Sequence, residues 1–243
     1  MVNRPRRAVL ASLIVALAGW AALAWLALDM DSEVAAWTMP SGPDWDAVNL
    51  LAVAAMWSVM MAAMMLPSAL PMIRTFADIS ARRGAADHAR AFVAGYLLVW
   101  AVFSLLATAA QWLLLAAGWT NPMVVSTAKP LTVALLAIAG LYQFTPLKRL
   151  CLRGCRSPIG FIVGEWRAGA RGALTMGWRH GLLCLGCCWA LMALLFVGGA
   201  MNPAWVAALA LAVAIEKTAP GGERIAATLG VLLIGAAAWQ LLR

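Results

Sequence analysis

The sequence predicts an all-α protein: a polytopic bundle of six or seven membrane helices with a cytoplasmic N-terminus. Three observations carry that reading. Of 243 residues, 64% are hydrophobic and only 12% charged, with a mean hydropathy of +0.86. That is more apolar surface than one water-soluble core can hide. The apolar residues fall into runs close to the roughly 20 residues that span a bilayer. The basic residues between those runs collect on alternate sides, as the preference of Lys and Arg for cytoplasmic segments requires.

The first run, residues 8–28, follows Arg4, Arg6 and Arg7 and contains Ala22-Leu23-Ala24, which imitates a signal-peptide cleavage site. Its apolar region is too long for one, so it is expected to be a retained anchor. Half of the ten acids (Asp29, Asp31, Glu33, Asp44 and Asp46) lie in the next segment, a solvated outer loop. The second run is 49–73, the third 91–117 and the fourth 126–144. A basic segment, 145–180, is expected as a cytoplasmic loop, with Trp166 and Trp178 suited to the membrane interface. The fifth run is 181–199, and the last is 225–242. Between them, 204–215 forms a seventh helix if Glu216 and Lys217 extend it and the lysine stem snorkels to the headgroups. Glu216 and Lys217 are then expected to pair structurally near the membrane edge, the alternative being that they gate proton or ion movement. The whole of 1–243 reads as a single integral membrane domain.

With the N-terminus inside, sixteen of the eighteen Lys and Arg residues fall on the cytoplasmic side, leaving Lys129 and Arg243 outside. The C-terminus is then external. The net charge of +8 therefore records topology. It supports no nucleic-acid partner, although basicity alone invites one; the surface partner is the lipid bilayer.

Two sulfur-rich stretches stand out. In "MWSVMMAAMMLPSALP", Met56, Met60 and Met64 recur every fourth residue and Met61 and Met65 form the neighbouring row, a broad thioether face on one helix. Packing alone explains such a face, because Met fills irregular gaps. In "RHGLLCLGCCWALM", His180, Cys184 and Cys188 are spaced by four and Cys187 lies three beyond Cys184, so imidazole and thiols share one side of a helix. Soft thiolate and thioether ligands select Cu(I), while imidazole suits copper or zinc. Counted from the cytoplasmic ends of their runs, Met64 and Cys188 both lie roughly 12–14 Å deep at about 1.5 Å per residue. A shared site is thus geometrically open to them. Cys151 and Cys155, four apart in the basic segment, read equally as a relay for the metal and as reduced thiols without a role. Nearby Arg149, Arg153 and Arg156 favour thiolate there.

"MWSVMMAAMMLPSALP", "YQFTPLKRLCLRGCRSP", "HGLLCLGCCWALM" with the following "GGAMN", and "EKTAPGG" resemble the motifs of a bacterial domain-of-unknown-function family described as predicted metal-binding integral membrane proteins. The resemblance covers roughly residues 49–222. It implies metal binding in a bacterial inner (plasma) membrane, multi-pass, and identifies neither the metal nor a cycle.

The expected ligands are Cys184, Cys187, Cys188, His180 at the cytoplasmic mouth, Met60, Met61, Met64, Met65, Cys151 and Cys155. The expected activity is binding of Cu(I), with zinc ranked behind it, and its movement or delivery in or across the membrane, with a metal donor or acceptor protein as partner. Binding or transport is favoured over catalysis. The rivals are a thiol-disulfide oxidoreductase built on Cys184-Leu185-Gly186-Cys187, which leaves the methionines unused, and a non-catalytic assembly subunit.

Overall fold

The computed structural model describes residues 4–85 and 88–243, which form eleven helices. These are α1 (Arg4–Leu28), α2 (Glu33–Thr38), α3 (Ala47–Arg82), α4 (His88–Ala116), α5 (Lys129–Tyr142), α6 (Pro146–Arg156), α7 (Pro158–Glu165), α8 (Gly169–Ala193), α9 (Leu195–Gly198), α10 (Pro203–Thr218) and α11 (Gly222–Leu242). Five stretches are long and apolar enough to cross a membrane: α1, α3, α4, α8 with α9, and α11. Leu51, Leu106 and Leu232 point away from the bundle and are exposed, as residues facing lipid would be.

The fourth expected run is a broken one. Helix α5 stops at Tyr142, the chain turns through Gln143–Thr145, and α6 departs at 65°; only together do the two match the length of a span. The cause is local. A residue before proline is pushed out of the α region, and Thr145, at ψ 147°, accepts a hydrogen bond from Lys148 N on its hydroxyl, 3.2 Å, restarting the helix behind Pro146.

The basic segment 145–180 is likewise helical almost throughout, as α6, α7 and the first turns of α8. Lys148, Cys151 and Leu152 bury one face of α6, while Arg149 and Arg153 keep the other exposed. That i, i+3, i+4 spacing is an amphipathic stripe, and it lays α6 against α8.

Helix α3 opens with a capping box: Asn49 N donates to Asp46 Oδ1 (2.8 Å) and Asp46 N donates to Asn49 Oδ1 (3.4 Å). Its 36 residues run about 54 Å, past any bilayer core. Pro67 and Pro71 lie inside it without ending it. Hydroxyls bind backbone oxygens around them: Ser68 Oγ donates to Met65 O at 2.9 Å and Thr75 Oγ1 to Pro71 O at 2.8 Å.

Helix α4 packs against both α3 and α8. On α8, Ala173, Gly177 and Gly181 form a stripe of small residues at four-residue spacing, the pattern that lets membrane helices approach closely. Gly177 lies directly against the Phe92 carbonyl, and a Cβ on Gly181 would stand 2.8 Å from Val99 Cγ2. This close seam brings Tyr96 of α4 onto Cys184 of α8. Trp57 Nε1 pins α3 to α4 by donating to Gln111 Oε1 at 2.7 Å.

Candidate metal centre

The site grows from α8. One turn of that helix places Cys184, Cys187 and Cys188 inside the bundle, each about 1% exposed. The thiols of Cys187 and Cys188 both donate to the Cys184 carbonyl at 3.0 Å. They are therefore parked on their own backbone, each thiol proton held by that carbonyl.

Helix α6 supplies the next sulfurs. Cys155 is partly buried against the core, and Cys151 sits over Gly186, where an added Cβ would stand 2.7 Å from its Sγ. Gly186 is thus the gap that admits Cys151. Tyr142, at the end of α5, donates its hydroxyl to the Gly186 carbonyl and locks the break in the chain to α8. All five cysteines are free.

From the opposite side, the Tyr96 hydroxyl donates to the Met65 carbonyl (3.2 Å) and lies 3.0 Å from Cys184 Sγ. Lys217 of α10 reaches in between. Its ammonium donates to Cys184 Sγ at 2.9 Å and to Ser68 Oγ at 3.2 Å, with Met65 Sδ at 3.9 Å. Met65 is thereby the methionine joined to the cysteines. Met60, Met61 and Met64 are buried in the core of the same helix. Helices α3 and α8 meet chiefly through α4 and these bridging side chains, not backbone to backbone.

His180 is enclosed and does not line a mouth. Its ring stacks on Phe92 and Tyr96, centroids 6.0 and 5.6 Å away, and Phe161 of α7 closes over it edge-on at 5.5 Å. Its Nδ1 is buried without a hydrogen-bond partner among the described residues.

Two expectations at the end of α10 need correction. Lys217 does not snorkel outward but is buried, and it does not pair with Glu216. Adjacent helical residues point about 100° apart and do not face each other. Glu216 instead accepts from Lys148 of α6 at 2.6 Å, both side chains at most 1% exposed. Arg156 donates to the Glu216 carbonyl at 2.6 Å, and exposed Arg153 forks onto Glu223 from Nε (2.6 Å) and Nη2 (3.3 Å). These bonds hold α6 against α10 and α11 and so set the height of Cys155.

Among the described residues, no three His, Cys, Asp or Glu side chains form a preassembled coordination group. The donor set is nonetheless soft. Thiols from two helices, a thioether and an unpartnered imidazole nitrogen lie in the packed core, and the buried carboxylate, Glu216, gives one oxygen to Lys148 while its Oε1 has no hydrogen-bond partner among the described residues. Such a set suits Cu(I) and offers little to Mg²⁺ or Ca²⁺, which require oxygen. Sequence reasoning missed Tyr96 and the inward aim of Lys217. The available signal was that both tyrosines of the chain lie in apolar runs, where a phenolic hydroxyl needs a partner.

A family model described as "PpoB2: Copper chaperone" matches residues 54–240, which include every candidate ligand named above. No curated protein and no solved structure matches the chain.

Proposed function

The chain belongs to the PpoB2 copper chaperone family, and from that premise we propose that it is a membrane-embedded Cu(I) chaperone whose metal is held between α6 and α8. Cys155, Cys184 and Cys187 are the principal ligands, Met65 is the exchangeable thioether, and Cys151, Cys188 and His180 form the surrounding reserve of donors. The observation that supports the reading is the packing of α6, with Cys151 seated over Gly186, against the turn of α8 that carries buried Cys184, Cys187 and Cys188. Thiols some thirty residues apart in sequence are thereby brought to one helix seam.

The parked thiols give the cycle its first step. Copper arriving on a thiolate donor draws Cys187 off the Cys184 carbonyl, each ligating thiol passes its proton to the donor sulfur that surrenders the metal, and the metal remains Cu(I). The thioether of Met65 binds more weakly than thiolate, which favours onward transfer to an acceptor protein. Binding and delivery account for the arrangement without a catalytic step, and no observation favours disulfide cycling or a purely structural subunit.

The test is titration of the reduced, detergent-purified protein with Cu(I) against a chromophoric chelator. The wild type should take up about one tightly held ion per chain, and Cys184→Ser or Cys155→Ser should lose it, while Mg²⁺ should not compete. Unchanged uptake in both cysteine variants would refute the assignment.

A further inference from the structure

Binding by sulfur alone leaves the ammonium of Lys217 without a purpose. It is buried at the end of α10 and fixed from two helices, by Cys184 Sγ of α8 at 2.9 Å and by Ser68 Oγ of α3 at 3.2 Å, with Met65 Sδ at 3.9 Å. The neighbouring carboxylate, Glu216, gives an oxygen to Lys148, and among the described residues Lys217 has no carboxylate partner. A charged group in an apolar bundle is costly unless its partners compensate it, and such groups mark function more often than packing. The place of this one points to its use. A metal on the Cys184 sulfur, about 2.3 Å from it, would stand roughly 4–5 Å from the ammonium, in a core where little water screens the two charges.

We propose that Lys217 is the valence selector of the site: its fixed ammonium beside Cys184 favours a monovalent soft metal over a divalent one. The inference rests on the copper reading above and adds the specificity of that site. A Cu(I) ion on three thiolates carries two net negative charges, whereas a Zn(II) ion on the same sulfurs carries one. The ammonium is attracted to both and stays in place when either metal binds, but its attraction to the Cu(I) site is about twice as strong. Equivalently, exchanging a monovalent for a divalent metal brings one more positive charge close to the ammonium. The number of thiolates cancels from that comparison, because the sulfurs are the same for both metals. At an effective dielectric near 20, one unit of charge at about 5 Å is worth on the order of a hundredfold in affinity. Sulfur ligands alone do not draw this distinction, since thiolates also hold Zn(II). A fixed cation draws it without closing the site to Cu(I).

The experiment compares Ag(I) and Cd(II), two soft ions with the same electron count that differ by one unit of charge. The reduced, purified full chain is titrated with each ion against a competing chelator of known affinity. Lys217→Gln keeps a hydrogen-bond donor for Cys184 and Ser68 and removes the charge; Lys217→Arg keeps the charge. The ratio of Ag(I) affinity to Cd(II) affinity should fall on the order of a hundredfold in Lys217→Gln and stay near the wild-type value in Lys217→Arg. General structural damage weakens both ions and leaves no preference for either. A Lys217→Gln ratio within about threefold of wild type, or above it, therefore overturns the proposal. So does a Lys217→Gln chain that takes up Ag(I) and still refuses Cd(II), or a Lys217→Arg ratio that falls as far as that of Lys217→Gln. Should Lys217→Gln fail to accumulate, Lys217→Leu, neutral and suited to an apolar core, is judged by the same ratio. A wild type that takes up neither Cu(I) nor Ag(I) removes the copper reading and this inference together, whereas a wild type that takes up both, with an unaltered ratio in the neutral variant, removes only the inference.

Discussion

Replacing Glu216 with glutamine probes the bond that holds the second pair of cysteines in the bundle. Lys148 and Glu216 are almost fully buried and separated by 2.6 Å. At an effective dielectric near 20, charges that close attract by roughly 6 kcal/mol, against a desolvation cost of several kcal/mol for each ion. The intact pair is therefore near break-even, but its halves are not. Glu216→Gln leaves the Lys148 ammonium buried without a counter-ion, which costs about 3–5 kcal/mol. At roughly 2–4 °C per kcal/mol for a chain of this size, Tm should fall by about 6–20 °C. Replacing both partners by leucine removes the orphan charge and should recover most of that loss. The assay is thermal unfolding in detergent, with Cu(I) uptake measured on the same samples, since loosening α6 also displaces Cys155. A Glu216→Gln variant that melts within about 2 °C of wild type, or a double variant no more stable than the single one, would refute the reasoning.

Gly177→Ala should drive a Cβ into the Phe92 carbonyl and cost about 1–3 kcal/mol by overpacking, read as a lower Tm; Gly235→Ala, with nothing within 4 Å of the new Cβ, serves as the neutral control. Changing Met64 and Met65 together to leucine keeps the core apolar at under about 1.5 kcal/mol while weakening Cu(I) retention in chelator competition; unaltered retention would withdraw both as ligands. A reporter fused after Arg243 should score as external and one inserted near Gly169 as cytoplasmic; a cytoplasmic C-terminus would show that α10 does not cross.

The helical character and the sulfur runs were legible because both are written in local composition. Apolar runs of span length can only be helices in lipid, and Cys184, Cys187 and Cys188 share a face by spacing alone. The course of α6 was hidden by its arginines. Arg149, Arg153 and Arg156 weigh toward a solvated loop, although the buried spacing of Lys148, Cys151, Leu152 and Cys155 was present between them. The inward aim of Lys217 was hidden for a different reason. One residue along a helix is a rotation of about 100°, and sequence does not tell which of Glu216 and Lys217 turns toward α6 and which toward α8. The link between Met65 and Cys184 was only partly visible: the similar depth of the two sulfur runs allowed it, but Tyr96 and Lys217, on two other helices, make the connection.

X-ray absorption at the copper edge of the Cu(I)-loaded chain tests the central claim most directly. The account predicts a shell of sulfur scatterers around Cu(I) in the wild type, and loss of the bound metal when Cys155 or Cys184 is replaced by serine and when Cys155, Cys184 and Cys187 are all replaced together. A shell of nitrogen and oxygen, or copper retained unchanged by the triple variant, would contradict it.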